Sequence, residues 1–262
     1  MKRKYSVELS NLGQFTDRYM ACGYNDDYTV EQLLKRAVSI PKISGCELCG
    51  TWHITEQSAE AVGRMIQDSG LQLVSIIPDY FAQRKWGHGA FSSSDPELRK
   101  QAIRDTKIMM DICADLGGEI VTIWNGQDGY DYSFTTDYIQ RRTWIQEGIK
   151  ECCDHRSDVK LSIEYKPREP KMRCFMTDAS TTLLMVNEIG RDNLGVTLDS
   201  PLLPLYLHWY QVLFLYLLNT FQIPPPCPRH SHYLLKAVVP PSVLTTNPSL
   251  LSTSSPSWSP PP

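Results

Sequence analysis

From Pro201 to the end, the chain contains no glycine and no acidic residue. All 15 glycines and all 29 acids precede that point, whereas 13 of the 18 prolines follow it. A continuing soluble domain of ordinary composition does not run 62 residues without either type, so the change argues against one domain crossing position 200. The last residues, LLSTSSPSWSPPP, are rich in Ser and Pro and cannot bury a core. Residues 202–218 are apolar but number only 17. They include Pro204, His208 and Gln211, and the only basic residue within reach is Arg229, so they make a poor membrane anchor. Residues 201–262 are therefore read as a non-domain tail. It is either disordered or the product of a shifted reading frame, a misassigned splice or a sequencing error. Re-reading the gene in its other two frames distinguishes these.

Other absences narrow the class further. No apolar run follows the basic start MKRK, so the N-terminus does not read as a secretory signal. The eight cysteines are then most simply reduced thiols in a cytoplasmic protein. Cys46 and Cys49 form a C-x-x-C, but no second pair follows at zinc spacing, and a structural role is the simpler reading. A net charge of −3 and a pI near 6.1 give no reason to expect nucleic acid or an anionic membrane as a partner. No glycine-rich phosphate loop follows the first strand, which removes the commonest ground for a doubly wound nucleotide binder.

What is present before position 201 is an alternation of strands and helices. Period-two or buried apolar runs predict strands over residues 5–12, 45–48, 71–77, 119–124, 159–164 and 194–199. Helical spacing predicts helices over 30–38, 55–68, 96–116, 136–153 and 179–189. Thr29 caps the first of these, and Ser94-Asp95-Pro96-Glu97 opens the third. Six β units alternating with helices imply a parallel sheet, either doubly wound or a barrel. Polar or aromatic residues end nearly every strand: Trp52-His53, Trp124-Asn125, Glu164 and Asp199. Barrel enzymes place their chemistry at such ends. The expected fold is α/β, a (β/α)8 barrel of the TIM type, incomplete at about six units over residues 1–200.

The densest chemistry lies in LSIEYKPREPK, residues 161–171. An apolar strand delivers Glu164 and Lys166 on alternate positions and then breaks on Pro167 and Pro170. The plainer alternative is a strand running into a solvated, charged loop. Glu164 and Asp199 end neighbouring strands about 4.8 Å apart. Two carboxylates that close repel unless one is protonated or a cation lies between them, and a divalent metal on oxygen ligands resolves the conflict. Separately solvated acids are the alternative. Lys166 points the same way and could stabilise an oxyanion. Trp86, Phe91 and Trp124 either wall a sugar site or fill the core. His53 is a base, a substrate hydrogen-bond partner or a structural histidine.

These residues match a known pattern. Residues 164–171, EYKPREPK, resemble the E-P-K-P-N-E-P-R signature of xylose isomerases. Residues 89–99, GAFSSSDPELR, are similar to that family's G-G-F-T-S-N-D segment, and residues 124–129, WNGQDG, to its W-G-G-R-E-G. The resemblance covers residues 5–200 and implies a xylose isomerase-like TIM barrel, within the superfamily of sugar isomerases and sugar phosphate isomerase-epimerases. It implies metal binding by Glu164 and Asp199 with Mg²⁺, Mn²⁺ or Co²⁺, and polarisation of a sugar oxygen by Lys166. It also implies a ring-opening role for His53 and sugar contacts from Trp86, His88, Phe91 and Trp124. The partner implied is a small sugar or sugar phosphate, bound by a homo-oligomer.

Some residues depart from the pattern. Ile54-Thr55-Glu56 follows His53 where xylose isomerases carry aspartates that orient the histidine. Ser200-Pro201 follows Asp199 where the superfamily usually has Gly-His. No acid in the tail can supply the ligands of a seventh or eighth strand. The expected activity is aldose–ketose isomerisation or epimerisation. The rivals are a non-catalytic or truncated relic and, further off, a metal-dependent endonuclease of the same barrel superfamily. Such an endonuclease needs a basic face, whereas residues 1–200 hold 24 basic against 29 acidic side chains.

Overall fold

Four of the five helices have first turns tied by side chains to the loops before them. A computed structural model describes residues 4–14, 23–168, 170–198 and the backbone of 238–239. In chain order the elements are β1 (Tyr5–Glu8), α1 (Val30–Ser39), β2 (Ile43–Cys49), α2 (Ala59–Ser69), β3 (Gln72–Ile77), α3 (Pro96–Asp115) and β4 (Ile120–Trp124). They continue with β5 (Gly129–Tyr130), α4 (Tyr138–His155), β6 (Lys160–Glu164), β7 (Arg173–Cys174), α5 (Ala179–Ile189), β8 (Leu194–Thr197) and β9 (Val238–Val239). Thr29 and Gln32 form a reciprocal capping box at α1. Asp95, Asp137 and Asp178 accept from Glu97, Gln140 and Thr181 backbone N–H groups at α3, α4 and α5.

The sheet runs β1-β2-β3-β4-β6-β8, with every pair parallel, and β9 adds antiparallel to β8. Helices cross between successive strands, so the described residues form five βα units and a sixth strand of a TIM-type barrel, an incomplete one. Strand alternation sorts the side chains into two sets. Cys46, Leu48, Val121, Ile123, Leu161, Ile163 and Val196 join Met110, Ile145, Ile149, Met185 and Val186 in one buried core. Burying each large aliphatic among them contributes about 1.5–3 kcal/mol.

The opposite set is polar. Ser6 and Ser75 donate to the Glu47 carboxylate at 3.0 and 2.8 Å, and Ser162 bonds Thr122 at 3.1 Å and Thr197 at 2.7 Å. Six adjoining strands thus carry one inward polar layer. By register Thr122 and Ser162 lie below Trp124 and Glu164, which pair at the strand ends, and Thr197 lies level with Glu164.

The structure revises several boundaries. β1 stops at Glu8, and residues Leu9–Leu12 coil into a 3-10 turn rather than extending the strand. α2 begins at Ala59 because Thr55 and Ser58 hold each other's backbone N–H groups in a side-chain turn, at 2.9 and 3.2 Å. The two-stranded β5–β7 ribbon has no counterpart in the sequence pattern. Among the described residues no helix is long and apolar enough to cross a membrane. The apolar run 202–218 lies outside them.

Candidate active site at the strand ends

Glu164 is the last residue of β6, 7% exposed, and shares the inward face with Ser162. It lies in register between Trp124 of β4 and Thr197 of β8. The strands that lead to positions 164 and 199 are therefore neighbours, while Asp199 itself falls outside the described residues. Lys166, two residues beyond Glu164, is partly exposed, and its backbone N–H is held by the Met176 carbonyl at 2.9 Å. Among the described residues there is no group of three or more His, Cys, Asp and Glu that could hold a metal. The donor set thus fits a divalent cation only in part. Glu164 supplies one buried carboxylate of the hard oxygen type such ions prefer.

The loops above the strands are laced together around Asp128. Its carboxylate is fully buried and accepts from Ala90 N (2.8 Å), Ser92 N (2.7 Å), Phe91 N (3.2 Å), Ser92 Oγ (2.6 Å) and Asn125 Nδ2 (3.0 Å). This one side chain ties the loop after β3 to the loop after β4. The loop after β6 joins them through β7, which pairs with β5, and through Phe175 N, which donates to the Asp128 carbonyl at 3.1 Å. A Cβ at Gly129 would overlap the Arg173 carbonyl, so only glycine lets these backbones approach. Lys171 completes the lacing by donating to the Gly87 carbonyl at 2.8 Å.

A second buried acid organises the loops after β2 and β3. Asp79 accepts from Phe81 N, Ala82 N and Gln83 Nε2, and from Thr51 Oγ1 at 2.7 Å. Thr51 is held at φ 61°, a conformation a β-branched residue rarely takes. The turn it makes brings His53 back onto its own strand, where Nδ1 accepts from Cys49 N at 2.9 Å. A ring whose Nδ1 accepts carries its proton on Nε2. Burial pushes the His53 pKa down to about 4, so at neutral pH the ring is an uncharged Nε2–H donor.

The aromatic residues divide. Trp52, Phe81 and Trp124 make an edge-to-face row with centroid separations of 5.7 and 4.8 Å, each partly exposed at the strand ends. Trp86 and Phe91, expected to wall the site, are 0% and 1% exposed and both pack edge-to-face on Tyr80. They belong to the core because the Asp128 lacing turns their loop down between the helices. His88 is exposed at the end of the 3-10 turn Arg84–His88. Cys46 and Cys49, three apart on β2, point to opposite faces of the sheet and form no joint site.

Sequence reasoning passed over Asp79, Asp128 and Phe81. Asp128 carried a signal, an acid set between two glycine positions in WNGQDG, but its five donors come mostly from a loop 36 to 38 residues away.

A family model described as xylose isomerase-like TIM barrel matches residues 37–203, more than half of the chain, and the chain belongs to that family. A xylose isomerase of Thermus thermophilus is 24% identical over 140 residues, covering 52% of this chain and 36% of that relative. The chain thus spans about a third of that relative's length. Among solved structures, an AP endonuclease of family 2 from Brucella melitensis superposes with a TM-score of 0.63 at 14% identity, over 82% of this chain and 76% of that one. A D-psicose 3-epimerase in the presence of D-fructose gives 0.55 at 15% identity, over 74% and 62%. A xylose isomerase-like TIM barrel protein from Mycobacterium smegmatis in complex with magnesium gives 0.51 at 16%, over 75% and 64%. At these identities the structural likenesses show the fold.

Proposed function

We propose that this chain is a divalent-metal-dependent sugar isomerase or epimerase, with residues 1–200 as its barrel portion and 201–262 as a separate tail. The observation that carries the reading is the inward, buried Glu164 at the end of β6, beside the strand that runs on to Asp199. Family membership and the names of the relatives, xylose isomerase and D-psicose 3-epimerase, support a sugar as substrate. The magnesium-bound neighbour supports a hard divalent cation.

In this reading Glu164 and Asp199 hold Mg²⁺, Mn²⁺ or Co²⁺, and the ion's chemistry is to stabilise negative charge on sugar oxygens. The chain's own residues do the rest. Lys166 supplies a positive charge beside the reacting carbons. His53 donates from Nε2 to a sugar oxygen; its Nδ1 lone pair is taken by Cys49 N, so the ring does not serve as the base. Trp124 covers the sugar next to Glu164 and keeps water out. A cytoplasmic homo-oligomer is part of the same proposal.

The test is turnover of a panel of aldoses, ketoses and their phosphates with added Mn²⁺, together with Mn²⁺ titration of the protein. Activity that is lost in Glu164→Gln, with weakened Mn²⁺ binding, supports the reading. Monodisperse protein that binds neither Mn²⁺ nor sugar, or that turns over none of the panel, overturns it in favour of a non-catalytic relic.

A further inference from the structure

The loops at the strand ends gather positive charge on a chain that is otherwise acidic. The segment Arg84–His88 reads RKWGH, and residues 166–173 read KPREPKMR. Together they hold six Lys and Arg, one histidine and a single acid, Glu169. Lys171 Nζ on the Gly87 carbonyl fixes the two segments against each other. Pairing of β7 with β5 fixes the far end of the second, and Asp131 lies 3.8 Å from Lys171 as the nearest described counter-charge.

On the helical surface several cations meet carboxylates, among them Lys35 with Glu31, Lys107 with Glu151, Arg142 with Glu188 and Arg191 with Asp154. At the strand ends Arg84, His88, Arg168 and Arg173 are exposed, and their side chains make no ion pair or hydrogen bond among the described residues. Arginine is the side chain suited to forked donation onto phosphate oxygens. Residue 168 lies only four positions beyond Glu164.

We infer that this rim is a phosphate-binding subsite, and that the substrate is a phosphorylated sugar whose ester group is held by Arg84 and Arg168 with Arg173 beside them. The inference deepens the proposed function and rests on it for the sugar. The ligand is a small phosphomonoester rather than a nucleic acid, because the positive cluster spans only these two short segments while residues 1–200 carry a net charge of −5.

The experiment is calorimetric titration of the full chain, at low and at physiological salt, with ribulose 5-phosphate, free ribulose, inorganic phosphate and a short single-stranded oligonucleotide. The expected result is that the ester binds at least about 10-fold more tightly than the free ketose. Arg168→Ala and Arg84→Ala each remove about 5- to 10-fold of that advantage and Arg168→Lys removes less. Salt shrinks the preference. Near-ultraviolet circular dichroism checks that these exposed positions leave the fold intact.

Equal binding of ester and free sugar, or arginine variants without effect, overturns the inference. An oligonucleotide that displaces the ester at lower concentration also overturns it, in favour of a polyanion. Binding requires no turnover, so an inert protein that still prefers the ester sinks the isomerase reading alone. Turnover confined to unphosphorylated sugars sinks the phosphate subsite alone.

Discussion

Replacing Asp128 with alanine tests whether one buried carboxylate holds the mouth of the barrel together. The substitution strips the acceptor from three backbone N–H groups, one hydroxyl and one amide, all buried. Each buried donor left without a partner costs about 1–3 kcal/mol, and more where the lost acceptor was charged. Water entering the space vacated by the carboxylate would satisfy some of the five, as polar cavities of that size allow. The net loss is then about 3–5 kcal/mol, the range for breaking a buried charged network. For a domain of this size that corresponds to a fall in Tm of about 8–15 °C. Asp128→Asn, which keeps the shape but turns one acceptor into a donor facing other donors, costs about 2–3 kcal/mol. Urea unfolding followed by tryptophan fluorescence measures both. A loss below about 1 kcal/mol for the alanine variant, at unchanged m-value, would falsify the claim that Asp128 is the organising centre of these loops.

Three further outcomes are expected. His53 has a folded-state pKa near 4 against about 6.5 unfolded, so the unfolded chain binds the extra proton first and stability falls as pH drops from about 6.5 to 4. The loss reaches about 3 kcal/mol at the acid end, and His53→Asn, which retains an acceptor for Cys49 N, should flatten that part of the stability–pH curve; an unchanged curve refutes the burial cause. Gly129→Ala forces the β5–β7 ribbon apart at the Arg173 carbonyl, costing about 1–3 kcal/mol and opening residues 166–176 to limited proteolysis; cleavage at the parent rate counts against it. Burial pushes the thiols of Cys46, Cys152 and Cys153 up to about 12 and that of Cys113 to about 11. A thiol reagent at pH 8 should label none of these four in the native protein and all of them in denaturant.

The regular part of the fold was legible because its signals are local. Val159, Leu161 and Ile163 alternate with a polar set, and the Asp95-Pro96 start and Thr29 cap announce their helices without tertiary help. The six strand positions and the pairing of β6, which ends in Glu164, with β8 follow from that alternation and the parallel order. The loops obey long-range partners instead. Two-residue strands such as β5 and β7 carry no period to detect, and Trp86 and Phe91 turn inward because Asp128 captures the backbone between positions 90 and 92. The tautomer of His53 depends on Cys49 N, a group that every residue but proline carries and that no sequence motif marks.

The hydroxyl-lined interior has a consequence for how the chain reaches this arrangement. A strand displaced by one residue against its neighbour would drive Leu161 or Ile163 into the row of Ser and Thr oxygens and push Ser162 among the helices. Both halves of such an error are penalised at once, so the hydroxyls proofread the alignment of strands whose backbones alone would accept either.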